Sequence, residues 1–220
     1  MTKRVAVVLC GSGYKDGSEI RESVGTLWAL SQLPVQVKCF APDSFQADVV
    51  NCLTGQVMEK EKRNQLVEAA RIARGQVKPL SEFKSEDFDA IILPGGFGAA
   101  KNLCTFAIEG SQGKVIPELQ SALEAMHRER KPIGAICIAP AVLALAFKEE
   151  KFELTLGPEG EAAEEVRKLG HKVVVCATDE CIVDRKNKIV TTPAYMYDLA
   201  PLHHIFMGIQ RLAEEVVAMA

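Results

Sequence analysis

Cys137 leaves an apolar run, Ile133-Gly-Ala-Ile136, and stands three residues ahead of Pro140. Proline suits the first turn of a helix, so Cys137 falls in a sharp strand-to-helix turn. A side chain at such a turn projects away from the sheet, as a nucleophile does at an elbow. The helix that follows aims its N-terminus at the sulfur, and the partial positive charge there favours thiolate. A cysteine inside apolar sequence is ordinarily inert packing; the turn reverses that reading for Cys137. Cys10 and Cys104 have weaker claims, while Cys39, Cys176 and Cys181 read as strand packing.

Two other segments carry chemistry. Pro94-Gly-Gly-Phe-Gly98 is a glycine-rich loop between a strand and a helix, able to turn backbone N–H groups toward an anion or oxyanion. Glu19 opens the first helix. Local sequence leaves two alternatives open for its carboxyl: a first-turn acid favoured by the helix dipole, or a proton shuttle reaching Cys137 with its pKa raised beside a thiolate. Neither glycine segment is a nucleotide loop. Gly-x-x-x-x-Gly-Lys-Ser/Thr is absent, and Gly11-Ser12-Gly13 lacks the dinucleotide spacing.

The elements that must bring these exits together alternate along the chain. Strand patterns fall at 5–10, 35–41, 88–93, 132–136, 152–156 and 171–175, with a hairpin formed by 181–184 and 188–191. Helices are expected from Asp16 or Ser18 onward, with Ile20, Val24, Leu27, Trp28 and Leu30 on the buried stripe, and over 61–74, 117–130, 140–147, 159–169 and 199–219. Repeated units of this kind form a mostly parallel sheet with helices on both faces. A single α/β domain spans 1–220, with no internal repeat or linker. Ligands of such sheets sit at the carboxyl ends of the strands, where the exits at Cys10, Pro94 and Cys137 converge.

Composition narrows the partners. Of 220 residues, 26 are Lys or Arg and 29 Asp or Glu, a net charge of −3. That gives no broad electrostatic reason to bind nucleic acid or anionic lipid, and a small molecule is the expected partner. The seven cysteines form no Cys-x-x-Cys pair and read as reduced thiols rather than a disulfide framework. The four histidines show no zinc-ligand spacing with them, so no metal site is expected. The N-terminal apolar run is too short for a secretory core, and the longest apolar stretch, 133–147, is too short to span a bilayer. A soluble cytoplasmic protein is the expectation, with no membrane partner.

The chain resembles the ElbB-type family (glyoxalase or isoprenoid-biosynthesis proteins), a branch of the DJ/PfpI superfamily with the class I glutamine-amidotransferase-like fold. The residues carrying this are Asp16-Gly-Ser-Glu-Ile20, Cys39-Phe-Ala-Pro42, Glu68-Ala-Ala-Arg-Ile-Ala-Arg-Gly75, Pro94-Gly-Gly-Phe-Gly-Ala-Ala-Lys-Asn102, Lys131-Pro-Ile-Gly134, Cys137-Ile-Ala-Pro140 and Ile189-Val-Thr-Thr-Pro-Ala-Tyr-Met196. The resemblance implies a single-domain, flavodoxin-like three-layer sandwich, and homodimers are common in the superfamily. It implies Cys137 as nucleophile, Glu19 as its carboxyl partner, and an oxyanion pocket at Gly95, Gly96, Phe97 and Ile138, with the Gly96 and Ile138 amides as donors. The implied activity is conversion of glyoxal or a related small aldehyde to a 2-hydroxy acid without glutathione or any cofactor.

The sequence departs from the superfamily where a triad histidine would stand. Ile138 follows Cys137, and the segment in question reads Thr191-Thr-Pro-Ala-Tyr195. That argues against glutamine hydrolysis and leaves Thr192 and Tyr195 as candidate hydroxyl donors to the pocket. The alternative is a redox-responsive or non-catalytic protein of the same fold that keeps the elbow and acts through partners.

Overall fold

The computed structural model describes residues 2–220. Among the described residues there are nine strands: β1 (Lys3–Val8), β2 (Val35–Ala41), β3 (Val77–Pro79), β4 (Ala90–Leu93), β5 (Ile133–Ile136), β6 (Glu153–Leu154), β7 (Lys172–Val173), β8 (Ile182–Asp184) and β9 (Ile189–Thr192). Seven of them make one sheet in the order β3-β2-β1-β4-β5-β9-β8. Every neighbouring pair in it is parallel except β8 with β9, whose antiparallel register sets Val183 opposite Val190. The parallel sheet and the 181–191 hairpin agree with the sequence reading.

The helices are α1 (Ile20–Ser31), α2 (Gln65–Ile72), α3 (Phe97–Asn102), α4 (Phe106–Glu109), α5 (Pro117–Arg128), α6 (Ala139–Ala146), α7 (Glu161–Lys168) and α8 (Leu202–Met219). The period-two alternation of β1 assigns its side chains to two cores. Ala6, Val8 and Cys10 enter the core that holds Leu103 of the α3 end, Leu119 of α5 and Leu143 of α6. Val5, Val7 and Leu9 enter the other, with Leu30 of α1, Ala69 of α2 and Leu212 of α8. A strand buried on both faces needs continuous apolar sequence, which is why 5–10 shows no polar alternation. The three-layer sandwich is therefore as expected.

Several elements differ from their expected forms. The segments near 152–156 and 171–175 do not join the main sheet; β6 and β7 pair only with each other in a separate two-stranded sheet. β3 at the sheet edge carries Pro79, which an edge tolerates because it offers no interior ladder bond. The largest departure is the orientation of α1. Ile20, Val24 and Trp28 are exposed, and the inward face carries Glu22, Ser23, Gly25, Thr26, Ala29 and Leu30. Small residues on that face admit α8 closely: a Cβ at Gly25 would lie 3.0 Å from the Phe206 ring. Close packing against α8 and the demands of the sheet edge, rather than the most apolar stripe, set the rotation of this helix.

Candidate active site

The exits of β1, β4 and β5 meet at the carboxyl edge of the sheet, with Cys137 at the centre. β5 ends at Ile136 and α6 begins at Ala139, so two residues make the whole turn. The chain manages this by placing Cys137 at φ 61°, a left-handed conformation costing a non-glycine residue roughly 1–3 kcal/mol. The Cys137 amide donates to the Thr192 carbonyl at 2.9 Å, which ties the elbow to β9 beside it. The thiol is almost fully buried.

The carboxyl beside the sulfur is that of Glu22. Its side chain and that of Cys137 flank Gly95 together, close enough for each to shift the other's titration; its Oε2 accepts from the Gly95 amide at 3.0 Å and its Oε1 from the Tyr195 amide at 3.3 Å. Glu22 is completely buried. Burial, and then the charge of Glu19, push it up to about 8, against the lowering effect of the Tyr195 amide, the Cys137 side chain and the Gly95 amide. The Cys137 thiol is raised by burial first and the Glu22 charge second, while the backbone amides of Gly96 and Ile138 pull it down. Two adjacent buried groups cannot both be charged cheaply. The two groups therefore both hold their protons below about pH 8, and Glu22 is the acid that gives its proton up first.

The expectation for Glu19 is corrected. Because α1 begins at Ile20, Glu19 is its N-cap, and its carboxyl folds back to accept from the Glu22 amide at 2.6 Å. Burial raises its pKa, and the nearby backbone amides and Arg21 oppose that rise. One turn further on, Glu22 is the acid that faces inward. The spacing of Glu22 with Thr26, Ala29 and Leu30 was the available signal, masked by the more apolar stripe of Ile20, Val24 and Trp28.

The glycine loop is where it was expected. Gly95 passes directly under the pair: an added Cβ would sit 2.6 Å from the Cys137 Cβ and 2.8 Å from Glu22 Oε2. Gly96, at φ 96°, starts α3 and offers its amide to the sulfur. Phe97 follows at the first position of α3, its amide donating to the Tyr14 carbonyl at 2.8 Å and its ring half exposed. Ile138 supplies the second amide at Cys137.

Two expected hydroxyls do other work. The Thr192 hydroxyl donates to the Glu180 carbonyl at 2.7 Å, so only its backbone carbonyl serves the elbow. The Tyr195 hydroxyl accepts from Arg21 at 2.9 Å, and its backbone amide, not its side chain, reaches Glu22. A second left-handed residue, Ala194 at φ 42°, turns that amide inward.

No histidine reaches the thiol among the described residues. His171 Nδ1 accepts from the Phe152 amide at 3.2 Å, and Nε2 lies 3.1 Å from the Ala144 carbonyl. His203 and His204 meet edge to face along α8. Cys10 and Cys104 are pushed up to about 12 by burial, and their sulfurs meet the Ser18 hydroxyl and the Ala99 carbonyl rather than a raised carboxyl such as Glu22. No cluster of metal-ligand side chains occurs among the described residues, and no helix there is long and apolar enough to cross a membrane.

Comparisons with known proteins match this architecture. A model of the DJ-1/PfpI family matches residues 4–200. The chain is 44% identical to the rat mitochondrial ES1 protein homolog over 225 residues, covering 98% of this chain and 84% of the rat protein. It is also 44% identical to the human mitochondrial glutamine amidotransferase-like class 1 domain-containing protein 3, covering 98% and 83%. An isoprenoid biosynthesis protein with amidotransferase-like domain from Ehrlichia chaffeensis has a crystal structure similar to this one, with a TM-score of 0.92, 36% identity and 99% of each chain covered. The names of the rat and human relatives place them in the mitochondrion, which overturns the expectation of a cytoplasmic protein.

Proposed function

The chain belongs to the DJ-1/PfpI family, and from that premise we propose that it is a cofactor-independent glyoxalase-type enzyme acting on small reactive aldehydes through Cys137 and Glu22. The observation that carries this reading is the juxtaposition of a nucleophile on a strained elbow and a buried carboxyl raised to about 8, between the amides of Gly95, Gly96 and Ile138. An acid of that pKa exchanges a proton at neutral pH, the property a proton shuttle needs.

The steps balance without an oxidant or reductant. From the pair that has already given up one proton, Cys137 sulfur bonds to one aldehyde carbon of glyoxal as that carbonyl's oxygen takes up the proton that remains, giving a hemithioacetal. The Gly96 and Ile138 amides, which face the sulfur, would hold the oxygen that gains charge. Glu22, now a carboxylate, removes the hydrogen on the sulfur-bearing carbon. The electron pair left behind moves through the enediol, and Glu22 returns the proton to the neighbouring carbon. The product of this internal transfer is a thioester of glycolate. Water adds to the thioester carbonyl and the thiol leaves, so glyoxal plus water becomes glycolic acid. With no histidine base at the thiol, Glu22 handles every proton near the sulfur.

The mitochondrion is the compartment proposed, by likeness to the two relatives named for it. The test of the function is glycolate production from glyoxal by the purified protein, compared with Cys137→Ala. Turnover that depends on Cys137 supports the reading, and turnover that persists in Cys137→Ala removes it.

A further inference from the structure

A cavity of about 400 Å³ opens beside the elbow. Its lining starts at Ile138 and Phe97, the residues that directly follow Cys137 and Gly96. From there it extends under Phe106, Ala107 and Ile108 of α4 and reaches the start of α7 at Glu161. A two-carbon dialdehyde needs a small fraction of this space, which falls within the usual size of a small-molecule site. Phe97 and Ile108 keep most of their apolar surface in solvent, at 56% and 81% exposure. An apolar ligand in the cavity would cover that surface, and burying it is favourable.

The charge of the lining is one-sided. Glu109, Glu161 and Glu165 contribute carboxylates, and no Lys, Arg or His lines the cavity. Glu165 is held well into its ionised form: Lys168 and the Ser111 amide lower it to about 2. Glu109 is bonded to the Thr105 hydroxyl, and Glu161 lies in the first turn of α7. Glu165 is ion-paired with Lys168 behind the lining, so a ligand with its own negative charge would meet the carboxylates of Glu109 and Glu161 on that wall.

Resting on the function proposed above, we infer that this cavity is the substrate's side-chain subsite and selects 2-oxoaldehydes with an apolar, aryl-sized substituent free of negative charge. The reacting carbonyl sits at Cys137, the substituent runs along Phe97 and Ile138 toward Ile108, and the Glu109 and Glu161 carboxylates turn away anionic analogues.

Two series of probes test this. In the first, kcat/KM is measured for glyoxal, phenylglyoxal and 4-carboxyphenylglyoxal. Phenylglyoxal is expected to exceed glyoxal by about tenfold or more, the scale of discrimination an apolar pocket provides, and the carboxylated compound to fall about tenfold below phenylglyoxal. Ala107→Trp, at an exposed lining position, is expected to lower the phenylglyoxal-to-glyoxal ratio about fivefold or more. Glu161→Lys is expected to narrow the gap between the two aryl compounds. Equal values for all three aldehydes, or ratios unmoved by both substitutions, overturn the subsite.

In the second series, Cys137 alkylation by bromoacetone, phenacyl bromide and 4-carboxyphenacyl bromide is followed by mass spectrometry, each rate divided by that of free glutathione. The same order of preference is expected. This series separates the two readings: if no aldehyde is turned over, the proposed enzyme function falls, while a preserved order of alkylation upholds the subsite and equal normalised rates overturn it.

Discussion

Glu19 accepts a hydrogen bond from the backbone amide of Glu22 at 2.6 Å, so the acid that caps the first helix also stands over the acid that meets the thiol. The arrangement divides two tasks between two carboxyls one turn apart. Glu19 fixes the start of α1 and lends its negative charge to Glu22, which is thereby raised further than burial alone would raise it. Glu22 carries the proton.

From this division, substitutions at the two acids separate. Glu22→Gln keeps the shape and the hydrogen-bond acceptor but cannot exchange a proton, and should lower kcat for aldehyde turnover by about 10²–10⁴, the usual contribution of a positioned acid–base group. Glu19→Gln should leave most of kcat and instead move the alkaline rise in rate to lower pH, because it removes a charge that raises Glu22. A pH–rate series on both variants checks this; equal losses of kcat would refute the division.

Stability should depend on pH through the same group. Glu22 is raised from 4.5 to about 8 in the fold, so the native state binds its proton more tightly than the unfolded chain does. Its contribution is fully present below pH 4.5 and is lost as pH rises through about 8. The protein should therefore lose stability between pH 6 and 8.5 by an amount on the order of 1–3 kcal/mol. Glu22→Gln, neutral throughout, should flatten that slope and be the more stable protein at pH 8.5. Thermal melts across this range read it directly, and parallel slopes in the two proteins would contradict it.

Gly95 admits no side chain. Gly95→Ala would force its Cβ against the Cys137 Cβ and the Ile136 carbonyl, 2.6 and 2.7 Å away. Overpacking of this kind costs about 1–3 kcal/mol. The strand ends must part to accept it, so turnover should fall with stability. Chemical denaturation and kinetics on the same sample test the pairing; a fully active, undestabilised Gly95→Ala would refute it.

The loop after β1 is pinned from below by Asn102. Its Nδ2 donates to the Cys10 and Asp16 carbonyls at 3.1 and 2.8 Å, and its Oδ1 accepts from the Ala47 amide at 2.9 Å. Unpaired buried polar groups cost about 1–3 kcal/mol each, so Asn102→Leu should destabilise by about 3 kcal/mol or more. Denaturant midpoints measure it, and a loss below about 1 kcal/mol would contradict the account.

What the sequence reveals and what it hides follow from how local each signal is. Cys137 is legible because the elbow is local: an apolar strand, a cysteine and a proline three residues on leave few other geometries. The glycine turn at Gly95-Gly96 is legible for the same reason, whereas the roles of the Gly96 and Ile138 amides come from the family resemblance and not from a local signal. Glu22 is hidden because its role depends on the rotation of α1, which is decided by α8 through Gly25 and Phe206. Apolar periodicity favours Ile20, Val24 and Trp28 as the buried face, and the fold instead buries the face with the small residues and the acid. The hydroxyls of Thr192 and Tyr195 are misread likewise, since their partners, Glu180 and Arg21, lie in other segments. The separate β6–β7 pair is a tertiary outcome too, as short apolar runs carry no mark of which sheet they join.

The central claim is that Glu22 and Cys137 act as one proton-sharing pair, and the pH dependence of Cys137 alkylation in the wild type and in Glu22→Gln tests it most directly. In the wild type, reactivity should rise as the pair gives up its first proton near pH 8. In Glu22→Gln the midpoint should move, because the thiol then titrates without a carboxyl neighbour, and Glu19→Gln should produce a smaller shift in wild-type background. Superimposable profiles for the wild type and Glu22→Gln would contradict the account, since they would mean the carboxyl has no hold on the thiol.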